Sequence, residues 1–187
     1  VLDVGCGDGE ATKGMSLPSY VGLDLSLEAI HRAQLGNPTG DYRVGTLADH
    51  AVDADLTLCL DVLIHQAEMA TYVDLVDRLL RSAKKALLIS GYERAPDTNS
   101  PMVHFHEPLS TTLERLAPLA RRDQLREVHG ITTILVLKED IPIDFTFVVS
   151  KQKSSSGPAP SRGTRLRARA ARRFRRTGQR KSPRRKQ

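Results

Sequence analysis

The clearest chemical signal is a glycine-rich segment, Asp3-Val-Gly-Cys-Gly-Asp-Gly-Glu10. A strand that runs into three alternate glycines brings bare backbone close to a ligand, because glycine has no side chain in the way. The dinucleotide fingerprint G-x-G-x-x-G would need glycine where this chain has Glu10. The acid at Asp3 favours a cationic or amino-bearing ligand over a phosphate.

A second acid, Asp24, ends the next apolar segment, fifteen residues after Gly9. A carboxylate at the end of a second strand can accept hydrogen bonds from both hydroxyls of a ribose. Both facts together predict a nucleoside ligand with a positive group and no phosphates. A tight turn beside a solvated acid is the structural alternative.

Three histidines are candidates for a general base. His65 lies four residues after Asp61, whereas His104 and His106 follow a later apolar segment at alternate positions. In an extended chain, alternate side chains point the same way, so this pair would share one pocket wall. The pattern offers no third metal ligand, so no metal is predicted. Structural histidines in a polar loop are the alternative.

The elements that would position these residues alternate between strands and helices. Apolar segments typical of strands occupy five ranges, namely 1–4, 20–24, 42–44, 55–60 and 86–90. Between them, Ser26 can cap a helix that reaches about Leu35. Apolar residues from Tyr72 to Ala83 recur with helical spacing and form one face of a second helix.

The alternation ceases towards the C-terminus. The spacing of Thr111 and Glu114 is that of a capping box and predicts another helix, which Pro118 should end. Two apolar segments, 131–137 and 144–149, follow without room for a crossover helix. They should form an antiparallel hairpin or lie at separate edges. The chain is thus predicted to be an α/β protein with a parallel sheet closed by an antiparallel pair.

Charge divides the chain into an acidic body and a basic tail. Residues 151–187 contain 15 Lys and Arg and no Asp or Glu, whereas residues 1–150 contain 13 Lys and Arg against 22 Asp and Glu. We therefore predict one domain over 1–150 and a disordered, Arg-rich tail over 151–187, because the tail has too few apolar residues to offset its ordering entropy. Residues 162–187 are able to contact nucleic acid or an anionic surface non-specifically.

The remaining composition predicts a cytoplasmic protein. No apolar run approaches the roughly 18 residues of a transmembrane segment. Cys6 and Cys59 match no disulfide or metal spacing and are interpreted as small buried residues. The chain opens at Val1 inside an apolar run, so we expect that N-terminal helices precede it.

Three segments, in this order and at this spacing, resemble the class I, Rossmann-like S-adenosylmethionine-dependent methyltransferases: VLDVGCGDG (1–9), YVGLDLS (20–26) and DLTLCLDVLIHQ (55–66). The resemblance covers roughly residues 1–150. It implies a Rossmann-like, mostly parallel sheet with helices on both faces and a C-terminal antiparallel hairpin. It also implies S-adenosyl-L-methionine as the cofactor.

The resemblance assigns roles around the methionine part of that cofactor. Gly5, Gly7 and Gly9 would make room for it, and Asp3 would act on its amino group through water or backbone. Asp61, at the end of the fourth strand, would lie beside the sulfonium and the methionine moiety.

The same resemblance assigns the adenosine part. Asp24 would bind the ribose hydroxyls, and Leu25 next to it belongs to the same cofactor-binding segment. Many relatives carry an acid directly after a small residue at the end of strand three, where it meets the adenine amino group. Here Gly45 is followed by Thr46, and the nearest acid is Asp49, which takes that role.

The predicted function is methyl transfer from S-adenosylmethionine to an O, N or C nucleophile of a small molecule, with His65, His104 and His106 as candidate bases. One alternative is an RNA or protein methyltransferase that uses the basic tail for substrate delivery. Another is a non-catalytic binding module with the same fold. A nicotinamide-dependent dehydrogenase is disfavoured by Glu10.

Overall fold

The computed structural model describes residues 1–98 and 100–138, which form one seven-stranded sheet and three α-helices. The strands are β1 (Leu2–Val4), β2 (Val21–Asp24), β3 (Asp41–Val44), β4 (Ala54–Cys59), β5 (Ala83–Tyr92), β6 (Arg121–Val128) and β7 (Ile131–Leu137). The helices are α1 (Leu27–Gly36), α2 (Met69–Ser82) and α3 (Leu109–Leu116), with short 3₁₀ helices at Glu10–Thr12 and Leu63–His65.

The sheet has the order β3-β2-β1-β4-β5-β7-β6, and β1 to β5 are parallel. From β1 the chain moves outward to β2 and β3, then returns to the other side of β1 to form β4. The strand order therefore reverses between β1 and β4. Open α/β sheets bind ligands beyond the carboxyl ends of their strands at such a reversal.

Helices cover both faces of the sheet, as predicted. Right-handed crossovers that lead in opposite directions place their helices on opposite faces. Ile30 and Ala33 of α1 pack with Tyr20 and Tyr42 in one apolar cluster. Helices α2 and α3 contribute to a separate, larger cluster with the inner strands, so the sheet divides two cores.

A C-terminal antiparallel pair is also present, but only one of its strands, 131–137, was predicted. Strand β7 pairs with β5 on one edge and with β6 on the other. Residues 121–128 thus take the place that 144–149 would have in a hairpin with 131–137, so of the two predicted arrangements the hairpin is wrong. The segment 144–149, the boundary at 150 and the tail 151–187 lie outside the described residues.

The N-termini of α1 and α3 show which capping signals in the sequence were sufficient to predict where a helix begins. The Oγ of Ser26 accepts a hydrogen bond from the amide of Ala29 at 3.2 Å, so the predicted cap of α1 is confirmed. Helix α3 exists, but it begins at Leu109, so the predicted capping box at Thr111 is wrong. Instead, the carboxylate of Glu93 accepts the amide of Ser110 at 2.9 Å and binds the first turn from outside the helix.

Candidate cofactor site

The glycine-rich loop after β1 adopts a backbone that side chains disfavour. The φ angles of Gly5, Gly7 and Gly9 are +75°, +55° and +80°. The amide of Gly5 donates to the carbonyl of Leu23 at 2.7 Å. A Cβ on Gly5 would lie 2.1 Å from Cγ2 of Val62, so the loop packs directly on the segment that follows β4. The carboxyl ends of β1, β2 and β4 therefore meet at this loop.

Asp24, the last residue of β2, links the loop to the start of α1. Its Oδ2 accepts the amide of Gly7 at 2.9 Å, and its Oδ1 accepts the amide of Ser26 at 2.8 Å. Each carboxylate oxygen has a further lone pair, so the group can still accept hydrogen bonds from a ligand. Leu25 follows with 75% of its surface exposed.

Asp61 follows the end of β4 with a left-handed backbone, φ +59°. Its amide donates to Oγ of Ser90 at 2.7 Å, and the Ser90 hydroxyl donates back to Asp61 Oδ1 at 3.1 Å. A left-handed conformation costs a non-glycine residue about 1 kcal/mol. The two bonds to Ser90 hold the carboxylate in place despite that cost.

One cavity of about 650 Å³ lies over the carboxyl ends of β1 to β4 and against the side of α2. This volume is within the range of about 300–1,000 Å³ that is typical of small-molecule sites. Predicted residues in its wall are Gly5, Asp24, Leu25, Asp61 and His65. Much of the remaining wall is apolar, with Val4, Leu23, Leu47, Leu60 and Leu75.

The charge of the cavity wall is negative. Nε of Arg78 donates to Oδ2 of Asp74 at 2.6 Å, which neutralises that pair. Within the described residues, neither Asp24 nor Asp61 has an ion-pair partner. The wall therefore suits a ligand that is largely apolar and carries a cation.

The other two glycines lie beside the cavity. The amide of Gly7 donates to Asp24, and Gly9 faces Ala33 and Tyr42 on the side of α1. The loop thus meets the cavity through Gly5, while its later part packs on the apolar cluster that contains Tyr20 and Tyr42.

Asp3 points away from the cavity, because it alternates along β1 with Leu2 and Val4. It is 3% exposed, and its Oδ2 accepts the hydroxyl hydrogen of Tyr20 at 2.7 Å. Burial raises the pKa of Asp3, and the bond from Tyr20 opposes this increase. The structure therefore places Asp3 beneath the loop and outside the cavity wall.

Asp49 also lies outside the cavity wall. Its Oδ2 accepts both the amide and the hydroxyl hydrogen of Thr46, each at 2.8 Å. These bonds lower the pKa of Asp49. Thr46 itself lines the cavity, directly after Gly45. Thr46 thus stands between Asp49 and the cavity, so the acid does not reach the place where we expected it.

His65 lines the cavity beside Gln66. Its Nδ1 lies 2.6 Å from the carbonyl oxygen of Met102. A carbonyl can only accept, so Nδ1 carries the hydrogen of this bond, and in the neutral ring the lone pair is on Nε2. The neighbouring Gln66 donates from Nε2 to the carbonyl of Val62 at 3.2 Å.

The structure does not place His104 and His106 in the cavity wall. The amide of His104 donates to the carbonyl of Ile64 at 2.7 Å. Nε2 of His106 lies 2.8 Å from the carbonyl oxygen of Gln66, and its ring packs on Tyr72 with centroids 5.4 Å apart. Both histidines bind the outer side of the segment that carries His65.

Several wall residues were missed from the sequence. Thr71, Asp74 and Arg78 of α2 lie in the wall together with Leu75. Their helical spacing was a usable signal, because it places them on one edge of the helix. Thr46 and Gln66 had no such signal beyond their position after a strand.

Two features are absent from residues 1–98 and 100–138. No helix among them is long and apolar enough to cross a membrane. No group of three or more His, Cys, Asp or Glu side chains among them is arranged to hold a metal ion.

Comparison with known proteins agrees with this arrangement. Residues 2–88 match a family model described as a methyltransferase domain. No curated protein sequence matches the chain. Because the match extends from β1 into β5, it includes every strand that contributes to the cavity.

Solved structures share the fold at low sequence identity. Magnesium protoporphyrin IX methyltransferase from Synechocystis PCC 6803, with bound S-adenosylhomocysteine, is 17% identical, with a TM-score of 0.59 over 74% of this chain and 73% of that one. The N-methyltransferase NodS from Bradyrhizobium japonicum WM9 is 16% identical, with a TM-score of 0.57 over 73% and 76%. A TehB-like methyltransferase from Corynebacterium glutamicum is 15% identical, with a TM-score of 0.54 over 74% and 79%.

Residues 2–88 therefore match a methyltransferase domain, and the described residues share the fold of these solved methyltransferase structures.

Proposed function

We propose that the chain binds S-adenosylmethionine in the 650 Å³ cavity and transfers its methyl group to a small-molecule acceptor. The observation that carries this proposal is the pair of unneutralised carboxylates, Asp24 and Asp61, at the ends of β2 and β4 on either side of β1, in the wall of one largely apolar cavity. These two acceptors fit a nucleoside with a cationic amino-acid part.

The adenosine part is held by β2 and by the segment after β3. Asp24 accepts hydrogen bonds from the ribose hydroxyls, and the exposed side chain of Leu25 packs on the adenosine. Thr46 takes the place of the acid that meets the adenine amino group. Its hydroxyl donates to Asp49, and its oxygen accepts the amide of Ala48 at 3.1 Å, which leaves one lone pair for the adenine amino group. Asp49 therefore acts through Thr46.

The methionine part lies between the glycine loop and Asp61. Gly5 leaves room for it, and Asp61 faces its ammonium or the sulfonium. Gly7 and Gly9 shape the loop, and Asp3 supports the loop from below.

S-adenosylmethionine, when bound, supplies a methyl group that an acceptor takes by in-line displacement, while the electron pair of the broken bond stays on sulfur. The residues of this chain align the reactants and exclude water. A hydroxyl or acidic carbon must also lose a proton, and Nε2 of His65 is the base in the cavity wall that can accept it.

A small-molecule acceptor is favoured by the depth and apolar character of the cavity. The similar structures include enzymes whose names refer to magnesium protoporphyrin IX and plantazolicin. The acceptor of this chain is an O, N or C nucleophile on a molecule of that size class, and the acidic domain fits a cytoplasmic enzyme.

The direct test is thermal unfolding of the full chain with S-adenosylmethionine, S-adenosylhomocysteine or NAD. A ligand at 100 times its dissociation constant stabilises a protein by about 2.7 kcal/mol. Stabilisation by the two adenosyl ligands alone is expected. A folded chain that neither ligand stabilises would contradict the proposal and favour a non-catalytic binding module.

The basic tail favours a second candidate, an RNA or protein methyltransferase that recruits its substrate electrostatically. Residues 151–187 hold 15 Lys and Arg without any acid. Salt-sensitive RNA binding that disappears when residues 154–187 are deleted, with unchanged affinity for S-adenosylhomocysteine, would favour this candidate. Equal RNA binding by both chains would remove it.

A further inference from the structure

The loop after β5 is attached to the segment after β4 by three hydrogen bonds. Met102, His104 and His106 each contribute one bond, with lengths of 2.6, 2.7 and 2.8 Å. Their partners are three consecutive residues, 65, 64 and 66 respectively. Residues 100–106, here called the strap, therefore lie against the short 3₁₀ helix that presents His65.

The first of these bonds determines the chemical state of His65. The bond from Nδ1 to the Met102 carbonyl requires hydrogen on Nδ1, so the neutral ring has its lone pair on Nε2. His65 lines the cavity, whereas the strap does not. A ring released from Met102 would be free to exchange tautomers and to place a hydrogen on Nε2, which then could not accept a proton.

The third bond fixes the far end of the strap. His106 donates to the Gln66 carbonyl and packs on Tyr72 of α2. The next residue, Glu107, accepts the hydroxyl hydrogen of Thr112 at 2.6 Å and pairs with Arg115, both on α3. The strap is thus anchored on two helices of the core, so it is able to hold a neighbouring segment in place.

We propose that the strap is a positioning element that holds His65 in the Nδ1–H tautomer, with Met102 as the direct partner and His106 as the anchor. The proposal rests on the proposed function, in which Nε2 of His65 accepts the acceptor's proton. His106, which the sequence suggested as a base, acts here through His65 and not on the substrate, whereas His104 contributes its backbone amide.

The test measures the His65 tautomer by long-range ¹H–¹⁵N NMR of the full chain, at a pH where histidine is neutral. The expected wild-type spectrum has a protonated Nδ1 and an unprotonated Nε2. His106→Phe keeps a ring against Tyr72 and removes the donor to Gln66. It should give a mixture of His65 tautomers and speed hydrogen exchange of the His104 amide about fivefold, the effect of one lost hydrogen bond.

The matched control is His31→Phe, which replaces an exposed histidine of α1 and should change neither signal. A wild-type His65 with its hydrogen on Nε2 would overturn the proposal without any variant, so the test stands even if His106→Phe fails to fold. Unchanged tautomer and exchange in a folded His106→Phe would also overturn it. Binding of S-adenosylhomocysteine, measured on the same samples, tests the proposed function separately and should stay within about twofold of wild type in His106→Phe, because His106 is outside the cavity wall.

Discussion

Replacement of Asp24 by alanine should weaken cofactor binding far more than it weakens the fold. The carboxylate is the only acidic group at the end of β2 that lines the cavity among the described residues, and we assign both ribose hydroxyls to it. A hydrogen bond to a charged group contributes about 1.5–3 kcal/mol. With water entering the space left by Asp24→Ala, a net loss of about 3 kcal/mol is expected, which is roughly 100-fold in the dissociation constant.

The cost to the fold is smaller, because the two internal bonds of Asp24 are made to backbone amides at the cavity rim. Gly7 and Ser26 lose their carboxylate acceptor, and water can replace it in part. A decrease of about 1–2 kcal/mol in the free energy of unfolding is expected. Asp24→Asn keeps one acceptor oxygen and should lie between wild type and Asp24→Ala in both measurements.

The assay is isothermal titration calorimetry with S-adenosylhomocysteine, together with circular dichroism to confirm folding. Asp55→Ala is the matched control, because Asp55 is an exposed carboxylate near the start of β4, at the opposite edge of the sheet from the cavity, and pairs across the surface with Lys85. The control should bind with unchanged affinity. A folded Asp24→Ala that binds within about threefold of wild type would refute the ribose assignment.

Three further predictions concern stability and reactivity. Gly5→Ala and Gly14→Ala place alanine at nearly equal φ angles, +75° and +74°, but only the new methyl group at position 5 meets a side chain. Urea denaturation should therefore show that Gly5→Ala loses about 1–3 kcal/mol more free energy of unfolding than Gly14→Ala. Equal losses would contradict the close packing at Gly5. The raised pKa of buried Asp3 means that the folded state holds the Asp3 proton more tightly than the unfolded state does, so the stability that this proton contributes is lost as pH rises above about 3.8. Asp3→Asn should therefore gain stability relative to wild type as pH rises through this range. Parallel stability–pH profiles of the two proteins would refute the assignment. Burial raises the pKa of Cys6 to about 12 and also raises that of Cys59, so both thiols should react with a disulfide reagent at pH 8 only after unfolding. Rapid reaction of Cys6 in the native chain would show that the glycine-rich loop opens.

The sequence predicted the residues whose roles depend on short segments. Gly5, Asp24 and Asp61 each lie at or just after the end of an apolar strand, and parallel strands bring their carboxyl ends to one edge of the sheet. Strand order and local spacing were therefore sufficient to place these residues around one cavity.

The sequence was insufficient where a side chain had a competing local partner. Asp49 has the right charge, but it binds the turn that starts at Thr46 and so faces away from the cavity. His104 and His106 follow a strand end, but they belong to the strap and bind the segment 62–66. No pattern within either segment reveals the other, because these bonds join residues about 40 positions apart.

Strand β6 escaped detection for a different reason. Strands are recognised by alternation between a buried and an exposed face. Residues 121–128 are largely exposed on both faces and carry charges at most positions, so no alternation exists to be detected. The buried partner β7 has the usual apolar composition and was identified.

The left-handed backbone at Asp61 disfavours an acidic residue for stability, whereas the proposed activity requires one at this position. Glycine and asparagine adopt this conformation at lower cost than most residues, so either one can occupy position 61 without demanding more of the fold. Both lack the carboxylate. A directed-evolution experiment that selects this chain for heat resistance alone would therefore be free to lose the acid that we propose lies beside the sulfonium. A selection for methyl transfer would retain it and accept the strain, and comparison of the two evolved populations at this single position would separate the demands of folding from those of chemistry.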